Sequence, residues 1–199
     1  MKPNIIAIAA LAALTITFAS GALAQFEAYE TSPLGVGVTM FRPSGSELKK
    51  INSTWIGATL QWHMKRDEMQ RPTAVLSIGW LSADKANDSR ANFIPLKFSV
   101  IKRFGDGESC WFVSGGIDTY LAHFARVEHI PDTSFLGYHD DWVSDNATKL
   151  GYNMAFGREF GSGWFFEAKR DTIAMVSHKT GGKVDFSGWS ITVGSRLAY

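Results

Sequence analysis

A single cysteine, Cys110, stands in the whole sequence, so neither an internal disulfide nor a cysteine-based zinc cluster is available to the chain. Charge of one sign is also lacking: 20 Lys and Arg stand against 19 Asp and Glu, a net of +1. A chain so nearly neutral offers nucleic acid no electrostatic footprint, and no such partner is expected. Prolines number only six, and beyond residue 24 no run approaches the roughly 20 apolar residues that a spanning helix needs. What these absences leave is an unstapled chain that draws its stability from a sizeable core, a closed sheet, or a membrane crossed by half-apolar strands.

The first 24 residues read differently from the rest. Lys2 is their only charge; an apolar run from Ile5 to Phe18 follows, and Ala22-Leu23-Ala24 precedes Gln25. A basic start, an apolar middle and a small-x-small site describe a secretory signal peptide over residues 1–24. The expected mature chain, 25–199, is about 175 residues and one domain by the usual length prior.

Beyond it, apolar residues recur every second position. Leu34, Val36, Val38 and Met40 alternate with Gly35, Gly37, Thr39 and Phe41; in Thr54–Lys65, Ile56, Ala58, Leu60, Trp62 and Met64 share a face. The same alternation marks Thr73–Ser82, Ile94–Ile101 (with Pro95 suggesting a start or bulge), Cys110–Phe124, Leu150–Glu159, Trp164–Asp171 and the closing Trp189–Tyr199. Period two is the signature of strands, and glycines inside several segments argue further against helix. Eight such segments predict an all-β fold, an eight-stranded antiparallel up-and-down transmembrane β-barrel, apolar faces outward, with the last strand pairing the first near Val36 to Met40.

The connections alternate as well: long (43–53), short (66–72), long (83–91), short (105–109), long (125–149), short (161–163) and long (172–184). Short periplasmic turns and longer external loops would produce this pattern, with both termini on the short-turn side. Trp62, Phe104, Trp111, Trp164, Phe165 and Tyr199 are expected near that side, where rings with a polar tip suit a lipid–water interface.

Turning the apolar parity outward gathers His63, Lys97, Asp118, Glu159, Glu167, Lys169 and Arg196 inside, with Glu159 and Glu167 available to Arg196. An eight-stranded barrel is just wide enough for side chains to fill, so a charge-paired plug is expected rather than an open pore. In the third long connection, His129, His139, Asp140, Asp141 and Asp145 lie with Tyr138 and Trp142, but their spacing fits no fixed coordination loop. No metal and no cofactor is expected.

The hairpin "GREFGSGWFFEAKRD" and the closing "FSGWSITVGSRLAY" make residues 151–199 resemble the generic small outer-membrane β-barrel proteins of bacteria. That resemblance implies the cell outer membrane as location, with outer-membrane lipid and lipopolysaccharide as surroundings. It also implies insertion by the barrel-assembly machinery, a monomer, and a structural or surface-interaction role without catalysis. Ser177-His178-Lys179-Thr180-Gly181 is in addition faintly similar to the outer-membrane lipid A deacylases, whose motif is histidine, any residue, serine, asparagine. The alternative it implies is a lipid hydrolase with His178 as base and Thr180 as nucleophile. Thr180 stands where that family has serine, Gly181 where it has asparagine, and no acidic residue matches the third member. A third reading is a soluble periplasmic, lipocalin-like binding barrel with the apolar faces turned inward, which crowds many large side chains into a small lumen.

Overall fold

A computed structural model describes residues 31–66, 72–85, 88–105, 109–131, 138–173, 176–177 and 183–198. The segment assigned to the signal peptide, His178, Thr180 and the terminal Tyr199 lie outside these residues. The alternating segments form strands β1 (Thr31–Pro43), β2 (Trp55–Arg66), β3 (Pro72–Lys85), β4 (Ser89–Phe104), β5 (Cys110–Pro131), β6 (Tyr138–Glu159), β7 (Trp164–Ile173) and β10 (Gly188–Ala198). Each pairs antiparallel with its neighbours in a closed barrel of order β1-β10-β7-β6-β5-β4-β3-β2. The seam joins β1 to β10 with Val36 opposite Ser195 and Met40 opposite Ile191, as the alternation predicts. Thr39 and Thr192, partners on this seam, hydrogen-bond through their hydroxyls at 2.9 Å in the interior.

The register fixes the barrel's proportions. Arg196, Gly35, Gln61, Ser77, Lys97, Asp118, Gly151 and Ile173 are successive partners around the wall. Extending the Gly188–Asp171 register by two residues returns to position 186. The offset of about ten residues over eight strands, at about 3.3 Å per residue and about 4.8 Å between strands, gives a tilt of about 41° and a radius of about 8 Å. Each residue then advances about 2.5 Å along the axis.

Side-chain directions follow the sequence parity on every wall strand. Large apolar residues exposed on the outer wall include Ile117 (71%), Leu150 (73%) and Met154 (68%), with Leu60, Ile78, Phe98, Phe156, Ile191 and Val193. This belt runs from Trp111 and Trp164 at the lower rim to Leu121 above, a height of about 25 Å at the axial rise just given. Trp62, Phe104, Trp111 and Trp164 are exposed at its lower edge, where the sequence placed them. Phe165 is not among them. It is buried inside the barrel, because only one of the adjacent Trp164 and Phe165 can face outward.

Connection lengths differ from the sequence reading. Residues 83–91 are almost wholly strand, and only 86–88 separate β3 from β4. The expected 125–149 loop is the continuation of β5 and β6, paired from Val127 and Trp142 to Pro131 and Tyr138. β4 ends its pairing with β5 at Ser89–Arg126, and β7 ends its pairing with β6 at Ile173–Gly151. The hairpin therefore rises past its neighbours as a two-stranded ribbon, roughly 20 Å beyond the belt. The alternation read as loop length is thus, at this position, strand extension on one side of the belt.

Pro95 lies within β4 rather than at its start, and β4 begins at Ser89. Lacking an N–H, it interrupts the ladder: Gly79 and Trp80 of β3 have no partners there although the register on either side is unchanged. The 43–53 connection contains a short helix, α1 (Ser46–Ile51), and the 172–184 connection contains a two-stranded sheet of β8 (Val176–Ser177) and β9 (Lys183–Val184). At the opposite end the chain turns tightly through Gly163, whose φ of +82° suits glycine.

Candidate functional site in the barrel lumen

Period-two alternation turns seven predicted interior residues inward, and all seven are there: His63, Lys97, Asp118, Glu159 and Glu167 are buried, while Lys169 and Arg196 are partly buried. They occupy two levels. At the lower rim Glu159 receives Arg103 Nε at 2.8 Å (on Oε2) and Arg103 Nη2 at 2.7 Å (on Oε1). Arg196 Nη2 donates to the same Oε1, and the Cys110 thiol lies 3.8 Å from Oε2. Arg196 has therefore taken Glu159, while Glu167 pairs instead with Lys169, two residues along its own strand, at 3.0 Å.

Halfway up, Lys97 Nζ donates to Asp171 Oδ1 at 2.7 Å across the lumen and sits 5.5 Å from the Tyr120 ring centroid. The Tyr120 hydroxyl lies 2.6 Å from Asp118 Oδ2 and 2.9 Å from Asp171 Oδ1, so its one proton joins the two carboxylates to a single cluster. Asn153 Nδ2 donates to Asp118 Oδ1 at 2.6 Å and meets Ser99 at 3.3 Å. These contacts link β4, β5, β6 and β7, and each charge removed from water has an opposite charge or hydrogen-bond donor beside it.

A small cavity of about 30 Å³, partly open to solvent, lies beside these groups; His63, Glu159 and Arg196 line one level and Lys97, Asn153 and Lys169 another. Above it the character changes. Phe41, Trp55, Phe93, Tyr120 and Phe186 close over the lumen with Leu48 and Ile51 of α1. Phe93 is at the centre, with ring centroids 5.1 Å from Phe41, 5.7 Å from Trp55, 5.8 Å from Tyr120 and 5.8 Å from Phe186.

Arg103, Tyr120, Asn153 and Asp171 were absent from the predicted interior set. Extending the β4 parity from Lys97 through Ser99 and Ile101 finds Arg103; Tyr120 and Asp171 lie on inward parities already read. The aromatic cap had no such signal, because Phe41, Trp55, Phe93 and Phe186 break the rule that inward positions are small or polar. Among the described residues, no group of three or more His, Cys, Asp or Glu is placed to hold a metal ion. In the ribbon, His129 and Asp140 are backbone register partners, and Asp140, Asp141 and Trp142 are exposed. His178 and Thr180 fall outside the described residues.

No protein-family model matches the chain, and no curated protein matches it. Among solved structures, it is similar to the N-terminal β-barrel domain of Pseudomonas aeruginosa OprF, at 14% identity and a TM-score of 0.39, over 83% of this chain and 99% of that one.

Proposed function

We propose that the chain is a bacterial outer-membrane β-barrel protein with a filled lumen and a structural or surface-interaction role. The observation that carries this reading is the outer wall: a continuous belt of exposed Leu, Ile, Val, Met, Phe and Trp about 25 Å high, the height of the apolar band that such barrels present to lipid. A water-facing surface of that extent has no counterpart in ordinary monomers. The lipocalin-like alternative requires the apolar faces inside, whereas the interior holds the ion pairs.

In this reading residues 1–24 direct export, the barrel-assembly machinery inserts a monomer, and outer-membrane lipid with lipopolysaccharide surrounds it. The ribbon of β5 and β6 stands outside the cell as the contact surface. The cap around Phe93 and the crossed ion pairs below it support the filled lumen, and in this reading the barrel conducts nothing. Membrane fractionation with heat-modifiable gel migration tests location and barrel together, and planar-bilayer recording tests the filled lumen. Membrane recovery, a folded band that shifts on boiling and silent bilayers are expected. Recovery in the soluble periplasm without detergent would overturn the membrane reading, and stepwise conductance would overturn the filled lumen.

A further inference from the structure

On the outer wall, Arg42 of β1, Trp189 of β10 and Arg170 of β7 are register partners in one row across three adjacent strands. Trp189 is 59% exposed, Arg42 is exposed, and the Arg170 guanidinium stacks 5.6 Å from the Trp189 ring centroid. Arg170 Nη1 also reaches upward to donate to Ser44 Oγ at 2.6 Å. Among the described residues of these three strands no apolar outward residue lies above Trp189, and Ser44 and Thr172 follow Arg42 and Arg170, so the two guanidinium groups sit at the upper edge of the apolar wall there.

Several other cations toward this end have partners: Lys85 pairs with Asp88, Arg126 with Glu128 at 2.5 Å, and Arg90 stacks on Trp142 at 5.0 Å. Arg42 and Arg170 have no carboxylate within ion-pair distance among the described residues. A guanidinium facing lipid at such a depth is costly unless an anion meets it. The two backbones stand two strand spacings apart, about 10 Å, so two long side chains can converge on one anion between them. A planar fork of donors beside a ring face, directed outward at the edge of an apolar wall, matches phosphate carried by a lipid.

We infer that Arg42 and Arg170, seated around Trp189, bind a phosphate group of lipopolysaccharide in the outer leaflet. This inference rests on the outer-membrane reading and adds to it a defined lipid site.

The test uses the full folded chain, in detergent and in vesicles, with heat-modifiable migration confirming the fold of every variant. Binding of lipopolysaccharide, its enzymatically dephosphorylated form and phosphatidylglycerol is measured by calorimetry and by native mass spectrometry. The double variant Arg42→Gln/Arg170→Gln, which keeps both stems, is compared with Lys102→Ala, an exposed cation at the other rim. Lipopolysaccharide binding about tenfold weaker in the double variant, unchanged in Lys102→Ala, and similarly weakened for the parent by dephosphorylation is the expected result. Equal binding by parent and double variant overturns the site; so does equal affinity for the dephosphorylated glycolipid or for phosphatidylglycerol. Full displacement by inorganic phosphate at millimolar concentration would identify a free-anion site instead. A parent that floats with vesicles but binds no lipopolysaccharide overturns this inference alone, whereas a parent that stays soluble without vesicles overturns the membrane reading with it.

Discussion

Arg103 and Glu159, 56 residues apart in the chain, form two parallel hydrogen bonds of 2.8 and 2.7 Å at the lower rim of the lumen. Arg196 joins them from the closing strand, so one carboxylate holds two guanidinium groups and braces β4, β6 and β10. Glu159→Gln leaves the buried Arg103 and the partly buried Arg196 with a neutral partner and is expected to destabilise the barrel by about 3 kcal/mol. The triple variant Arg103→Met/Glu159→Leu/Arg196→Met should recover most of that loss, since desolvating the ions is itself costly. Urea unfolding in detergent, followed by tryptophan fluorescence, measures both.

The lipid-facing parity makes a depth-dependent prediction on one strand. Ile191 lies near the middle of the belt and Val193 about 5 Å lower. In vesicles, Ile191→Arg is expected to cost roughly 2–4 kcal/mol and Val193→Arg less, because charge is tolerated better toward an interface. Equal stability of Ile191→Arg and the parent would mean that this wall does not face lipid.

Inside, Phe112 lies over Gly157, its partner on the neighbouring strand, and a Cβ at position 157 would overlap the ring. Gly194 and Phe165 repeat the arrangement. Gly157→Ala should therefore destabilise by about 1–3 kcal/mol through overpacking. Phe112→Leu in that background should restore part of the loss, seen as an upward shift of the urea midpoint.

Phe93 has no solvent exposure and touches four other aromatic rings. Truncating it to alanine is expected to cost about 3–5 kcal/mol, comparable with a core aromatic of a soluble domain. The unfolding midpoint should fall with the denaturant slope unchanged, which distinguishes lost packing from a changed unfolded state.

The wall was legible in the sequence because a strand forces alternate residues to opposite faces, and outward positions such as Ile56, Leu60 and Ile191 are mostly apolar. The charged interior followed from the same parity, as Lys97, Asp118 and Glu159 illustrate. Partner choice did not follow: whether Arg196 meets Glu159 or Glu167 depends on register and tilt, which the alternation alone leaves open. The length of β5 and β6 was hidden because the ribbon above the belt is wetted on both faces, so Asp140, Asp141 and Ser144 erase the pattern that marks a half-buried strand. Phe41, Phe93 and Phe186 were misleading for the opposite reason, being large apolar residues on the inward parity. The His178 and Thr180 alternative draws nothing from the described geometry, and lipopolysaccharide incubation with Thr180→Ala as control is its direct test.

The aromatic cap also constrains the order of assembly. Phe41 sits on the first strand and Phe186 just before the last, with Phe93 between them, so their rings cannot meet until the two ends of the chain have come together. Such distant contacts form slowly, after the loop-closure entropy between them has been overcome. Sealing the seam and setting the cap are therefore coupled events, and the cap, once set, acts as a latch that slows reopening between β1 and β10.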